Sequence, residues 1–182
     1  VMTLVRPTSA HLPSFIEALQ RGWDPPGTTA AEVLAKVVED PEAFLAEAED
    51  REGRGSPVAL PDGSLVRRLP SITRWLWDGE FAGRTSLRWE VGTTALPPTC
   101  LGHIGYVVVP WKRRRGYATS ALRQMLPEAR ALGLPYIEVT TDPANVASQR
   151  VIEANGGVLW ERFTKPAAYG GSEGLRYRIA LA

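Results

Sequence analysis

The chain has 182 residues, 44% hydrophobic and 23% charged, with 21 basic against 20 acidic side chains and a net charge of +1. That balance sets aside general nucleic-acid binding, and one cysteine (Cys100) with two histidines (His11, His103) supplies neither a disulfide nor a structural metal site. No apolar run nears the ~18 residues of a membrane span and no basic-then-apolar segment opens the chain, so a cytoplasmic protein that keeps off the membrane is expected.

A first strand is predicted over residues 3–6, stopped by Pro7. Leu12, Phe15, Ile16 and Leu19 then recur at helical spacing, which predicts a helix from about Ser9. After a turn-rich loop at residues 22–27, Thr29 is placed to cap a helix running to Val38. Asp40-Pro41 opens another, carrying Phe44, Leu45 and Ala48. Residues 51–63 are polar and rich in Gly and Pro and read as a surface loop, with a turn at Pro61-Asp62-Gly63.

Strands follow at 71–77 and 80–90, about an Asp78-Gly79 hairpin turn, and at 102–109. Trp75, Trp77 and Trp89 belong to this hairpin as sheet and core residues. The period then becomes helical: Ala118, Ala121, Leu122, Met125, Leu126, Ala129 and Leu132 form one stripe, closed by Gly133. Pro127 interrupts it and costs a hydrogen bond or a kink. A strand at 136–140, a helix opened by Asp142-Pro143 and closed by Asn155-Gly156-Gly157, and strands at 158–163 and 175–181 complete the order. The expectation is one α/β domain over residues 1–182, of α+β type, around a mixed, mostly antiparallel sheet.

The stretch 107–118 carries the chemistry: a buried strand enters a basic turn, Lys112-Arg113-Arg114-Arg115, and a helix begins directly after it. A helix start presents unpaired N–H groups and partial positive charge, a natural cradle for a pyrophosphate. Gly116 lets the backbone approach a ligand, small Ala118 does not block it, and the arginines add attraction and direct contacts. The alternative for the same four residues is a solvated basic patch or a nucleic-acid contact.

Arg113-x-x-Gly116-x-Ala118 resembles the acetyl-CoA signature of the GCN5-related N-acetyltransferase (GNAT) superfamily. Asn145-x-x-Ser148-x-x-Val151-Ile152-Glu153-x-x-Gly156-Gly157 resembles that family's second motif. The resemblance covers roughly residues 67–178, and Leu4-Val5-Arg6-Pro7 is similar to the family's opening strand. Gly102-His103-Ile104-Gly105-Tyr106 is most similar to bacterial acetyltransferases of undefined acceptor.

The resemblance implies a six- to seven-stranded sheet with helices on both faces and a splay between its fourth and fifth strands, in which the pantetheine of acetyl-CoA lies. Tyr106, Val107 and Val108 would offer backbone groups to the pantetheine. Arg113, Arg114, Arg115, Gly116, Tyr117, Ala118 and Thr119 would surround the pyrophosphate, with Asn145 and Ser148 facing the cofactor from the next helix. An amine acceptor and, by analogy with some relatives, a homodimer are further implications. The family often carries a tyrosine seven residues after the asparagine to protonate the departing thiolate; Ile152 stands there, leaving Tyr106, Tyr117 or Ser148 as substitutes. Glu138 and His103 are the candidate bases, with Glu90 as a third choice. Glu138 is chosen because burial among apolar neighbours raises a carboxyl pKa, and His103 because it titrates near neutrality. A non-catalytic acyl-CoA-binding module is the competing reading, resting on Ile152 alone.

Overall fold

The computed structural model describes residues 1–182. In chain order it contains β1 (Thr3–Val5), a 3-10 turn, α1 (Leu12–Gln20), α2 (Ala30–Glu39), α3 (Pro41–Ala46), β2 (Glu49–Asp50), β3 (Val58–Ala59), β4 (Leu65–Val66), β5 (Ser71–Trp77), β6 (Phe81–Arg88) and β7 (Ile104–Val108). There follow α4 (Tyr117–Ala131), β8 (Tyr136–Thr141), α5 (Val146–Glu153), β9 (Val158–Thr164) and β10 (Glu173–Ala180). Thr29 caps α2 by accepting from the Glu32 N–H, and Asp40 caps α3 by accepting from the Ala43 N–H. The stretch read as plain loop holds a small β3–β4 hairpin about Pro61-Asp62-Gly63, tied by Leu60 and Ser64. α5 starts three residues later than Asp142-Pro143 suggested. Asn145 takes the cap, its side-chain oxygen accepting from the Ser148 N–H at 3.1 Å.

The seven principal strands form two hydrogen-bonded groups, β1-β5-β6-β7 with β2 on β5, and β8-β10-β9, all pairs antiparallel. The groups meet at one point. The His103 N–H donates to the Glu138 carbonyl (2.8 Å), and the Glu138 N–H donates to the His103 ring nitrogen Nδ1 (2.8 Å). A Cβ on Gly102 would stand 3.1 Å from the Glu138 carbonyl oxygen, so the strands approach most closely beside a glycine. Beyond that point β7 and β8 share no backbone bond, and Tyr106 reaches across to Ser148 of α5 through its hydroxyl. This is the splay expected between the fourth and fifth strands.

Helices cover both faces. On one, α4 and α5 pack over Ile72, Leu87, Ile104, Ile137, Val139, Leu175 and Ile179. On the other, α1 and α2 pack through Leu12, Phe15, Leu19, Val33 and Val37 against Trp75, Phe81 and Val109. There Phe15 stacks on Trp75 (4.5 Å between centroids) and meets Phe81 edge-on (5.0 Å), each ring adding about 0.5–1.5 kcal/mol beyond simple burial. Pro127 sits within α4 without breaking it. Pro127 and Arg123, whose carbonyl loses its helical partner, both lie on the exposed face of the helix. No helix is long and apolar enough to cross a membrane.

Candidate active site

Antiparallel pairing decides which backbone groups of β7 are free. The Arg88 N–H donates to the His103 carbonyl (2.9 Å) and the Val109 N–H to the Ala82 carbonyl (3.0 Å). Between them the register sets Ser86 opposite Gly105 and Arg84 opposite Val107. Odd-numbered residues of β7 therefore direct their peptide groups to β6, while those of Ile104, Tyr106 and Val108 point into the gap beside β8. Tyr106 and the Val108 N–H thus face the gap. Val107 does not, because its peptide groups belong to the β6 pairing.

The mouth of the gap is the start of α4. Arg114 (φ 62°) and Gly116 (φ 75°) both adopt the left-handed conformation and turn the chain sharply into the helix. Ser120 is the first residue to make a helical bond, to the Gly116 carbonyl at 3.0 Å, so the N–H groups of Tyr117, Ala118 and Thr119 project ahead of the helix. A Cβ on Gly116 would meet nothing within 4 Å; glycine is required there by its backbone angle, and the space in front stays open.

The basic run is not one patch. Lys112 is only 6% exposed, with its Nζ 2.5 Å from Asp78 Oδ1 and 3.0 Å from Glu80 Oε2. The Tyr117 hydroxyl donates to Asp78 Oδ2 at 2.6 Å. Burial pushes the Asp78 carboxyl upward, but the hydrogen bonds from Lys112 and Tyr117 outweigh it and hold it below the ordinary value. Burial pulls the Lys112 ammonium down, and its bonds to Asp78 and Glu80 outweigh that and hold it above the ordinary value. The network pins the β5–β6 hairpin turn to the first residue of α4. Tyr117 is thereby corrected as a proton donor: its hydroxyl is engaged at the hairpin, not at the gap. Arg113 anchors the turn by donating to the Val108 carbonyl (3.1 Å), and Arg114 and Arg115 are exposed.

Within the gap the Tyr106 hydroxyl lies 2.7 Å from Ser148 Oγ. Burial raises the phenol pKa, only partly offset by the Ser148 hydrogen bond, so the group stays protonated and able to donate. Ser148 is held from behind by the Asn145 cap, whose amide nitrogen makes no bond within the chain. Ile152 is fully buried in the core under α4 and β8 and does not line the gap.

The two candidate bases sit at the joint of the two sheet groups, and the structure changes how both are read. His103 is fully buried, with Nδ1 accepting from the Glu138 N–H and Nε2 2.9 Å from the Thr94 carbonyl. Those contacts define a neutral ring protonated at Nε2, and burial depresses its pKa. With no lone pair free it is a positioning residue rather than a base. Glu138 lies not among apolar neighbours but against two guanidiniums, Arg178 (3.2 Å) and Arg176 (3.8 Å). Glu90 lies outside β6 and pairs with Arg67 at 2.7 Å.

Two residues that motif reading passed over are Arg84 and Arg88. Alternation along β6 sets Arg84, Ser86 and Arg88 on the face opposite Leu87, and so on the α1–α2 side. The signal for them lay in the sequence as two arginines at period two inside a strand.

An acetyltransferase (GNAT) domain model matches residues 2–158. No curated protein matches the sequence at a significant level. Among solved structures, the chain is similar to the microcin C7 self-immunity acetyltransferase MccE in complex with acetyl-CoA and AMP (12% identity, 98% of this chain and 92% of that one, TM-score 0.63). It is also similar to RimL, the ribosomal L7/L12 alpha-N-protein acetyltransferase, in complex with coenzyme A (15% identity, 99% and 94%, TM-score 0.60). A third is the aminoglycoside acetyltransferase AAC(6')-Ib in complex with coenzyme A (15% identity, 99% and 95%, TM-score 0.59). At these identities the solved structures speak for the fold, and the family model, matching most of the chain, shows that it belongs to the GNAT acetyltransferase family.

Proposed function

We propose that the chain, as a single domain over residues 1–182, transfers the acetyl group of acetyl-CoA to an amine in the cytoplasm. The observation that carries this reading is the coincidence of an open β7 edge with a helix start at its mouth. Ile104 and Tyr106 present unpaired peptide groups, and Val108 its N–H, on the strand leading directly to the free N–H groups of Tyr117, Ala118 and Thr119. An extended chain bearing amides and ending in a pyrophosphate fits both halves, and the similar structures are complexes with acetyl-CoA or coenzyme A.

Bound acetyl-CoA supplies the thioester. Arg114 and Arg115, with the α4 N–H groups, hold its pyrophosphate, and the Tyr106 and Val108 peptide groups align the pantetheine. The Tyr106 hydroxyl, backed by Ser148, donates a proton at the thiolate position, replacing the tyrosine that Ile152 displaces. Glu138 carries the base role, accepting the amine proton directly or through a water at the narrow end of the gap.

Titration calorimetry with acetyl-CoA, CoA and ATP tests the site, and thiol release with a panel of amines tests transfer. Acetyl-CoA binding without ATP binding, lost in Gly116→Glu with unchanged circular dichroism, is the expected result. A Gly116→Glu variant that binds like the parent would show the cradle to be elsewhere. Binding without thiol release from any amine would leave a non-catalytic acyl-CoA-binding module.

A further inference from the structure

Arg84 stands at the centre of β6, opposite Trp75 on β5 and Val107 on β7, on the face that α1 and α2 only partly cover. It is largely withdrawn from solvent, yet no hydrogen bond or ion pair from the chain reaches its guanidinium, and burial alone moves its pKa, downward. None of its nitrogens is sealed away from solvent, so a ligand can reach the group. Two residues along the same face, Ser86 pairs its hydroxyl with Thr73 (2.9 Å). Two further on, Arg88 donates from Nε to the Gly102 carbonyl (2.8 Å). Its Nη2 lies over Gly105, 3.9 Å from where a Cβ would be, beside the narrow end of the gap.

The carboxylates flanking this surface are already engaged, Glu138 by Arg176 and Arg178 and Glu90 by Arg67. A half-buried guanidinium that no carboxylate of the chain neutralises keeps only part of its hydration, and an anionic ligand would supply the missing counter-charge. Arg84 lies two register steps along the sheet from Gly105, about 7 Å at the rise of a strand, with one strand spacing of about 5 Å across.

We propose that the acceptor is a small anionic amine, its carboxylate or phosphate gripped by Arg84 and its amine directed along Ser86 towards Gly105, where Arg88 adds a second positive group. This rests on the acetyl-transfer reading and names the acceptor class for the same site. A polycationic acceptor is disfavoured by the same two arginines.

The test compares matched amines in the thiol-release assay: alanine against alaninamide, and O-phosphoethanolamine against ethanolamine, with spermidine as the cationic control. The parent is expected to favour the anionic member of at least one pair by tenfold or more in kcat/KM. In Arg84→Met, which keeps the length and apolar stem of the side chain, that preference falls to within about twofold of unity. Acetyl-CoA affinity stays unchanged, and the melting temperature holds or rises, because an unpaired charge has been removed. A structural role for Arg84 would instead lower the melting temperature. Preference for the neutral or cationic members, or an anion preference that survives Arg84→Met, overturns the proposal.

An arm independent of turnover separates this outcome from failure of the acetyl-transfer reading. N-acetylalanine and inorganic phosphate are titrated against the CoA-loaded protein by calorimetry. Binding of either to the parent and not to Arg84→Met supports the anion site even if no amine is acetylated. Binding of neither, together with no anion preference in turnover, refutes it.

Discussion

Replacing Lys112 with methionine removes the cation from the network that ties the hairpin turn to α4. Lys112 and Asp78 are 8% and 11% exposed at their side chains and 2.5 Å apart, so water screens them poorly. Glu80, 68% exposed, adds little. Breaking a buried pair by removing one partner costs about 3–5 kcal/mol, since the remaining carboxylate keeps its desolvation penalty and retains only the neutral Tyr117 hydroxyl and Glu80 N–H donors. For a chain of this length that is a fall in melting temperature of roughly 10 °C. The companion Lys112→Met/Asp78→Asn recovers much of the loss, giving a coupling energy of about 1–3 kcal/mol in a double-mutant cycle.

The pH dependence follows from the two shifts. The Asp78 carboxyl is held below its ordinary 3.8, so its stabilisation is present above that pH and is lost as pH falls through the folded value. The Lys112 ammonium is held above its ordinary 10.5, so its share is complete below that pH and is lost as pH rises past the folded value. Urea unfolding at pH 7, across the acid limb and above pH 10.5 measures both effects. A Lys112→Met variant within about 0.5 kcal/mol of the parent, or a cycle without coupling, would refute the network as the anchor of the α4 start.

Because burial depresses the His103 pKa, its neutral form stabilises the fold above pH 6.5. That contribution fades as pH falls below 6.5, and His103→Gln is expected to flatten the slope in unfolding experiments at pH 5–7. His103→Leu leaves the Glu138 N–H and the Thr94 carbonyl without their partner and costs about 2–4 kcal/mol by the same assay. Tyr106→Phe is expected to lower kcat about 10–100-fold with little change in acetyl-CoA affinity. An unchanged kcat and pH profile would remove the hydroxyl from the reaction. Glu138→Gln is expected to depress turnover far more than acetyl-CoA binding, and equal activity across pH would exclude it as the base.

The sequence made the scaffold legible because its elements are punctuated by strong local signals. Thr29, Asp40, Asp78-Gly79 and Gly133 each mark a boundary through their own backbone chemistry, and the structure places element ends beside all four. The start of α5 was misplaced because two caps compete within four residues, and Asn145 accepts the Ser148 N–H. What stayed illegible was the partner of each charge. Lys112 reads as one of four basic turn residues until the hairpin brings Asp78, 34 positions away, against it. Glu138 reads as a carboxylate among apolar residues until β10 sets Arg178 beside it. His103 reads as a titrating base until the joint takes both its nitrogens. Pairing across a sheet decides all three, and no local pattern encodes it.

The joint at His103 also bears on how long the protein survives. Each half of the sheet is complete by itself, and the seam between them is closed by one backbone bond and one ring. A ligand lying along the rest of that seam binds only the folded chain, since unfolding separates the two walls. By mass action, a ligand at a hundred times its dissociation constant adds about 2.7 kcal/mol to folding stability, and at a thousand times about 4.1 kcal/mol. The folded fraction, and with it resistance to proteolysis, would thus rise and fall with the supply of the molecule that occupies the gap.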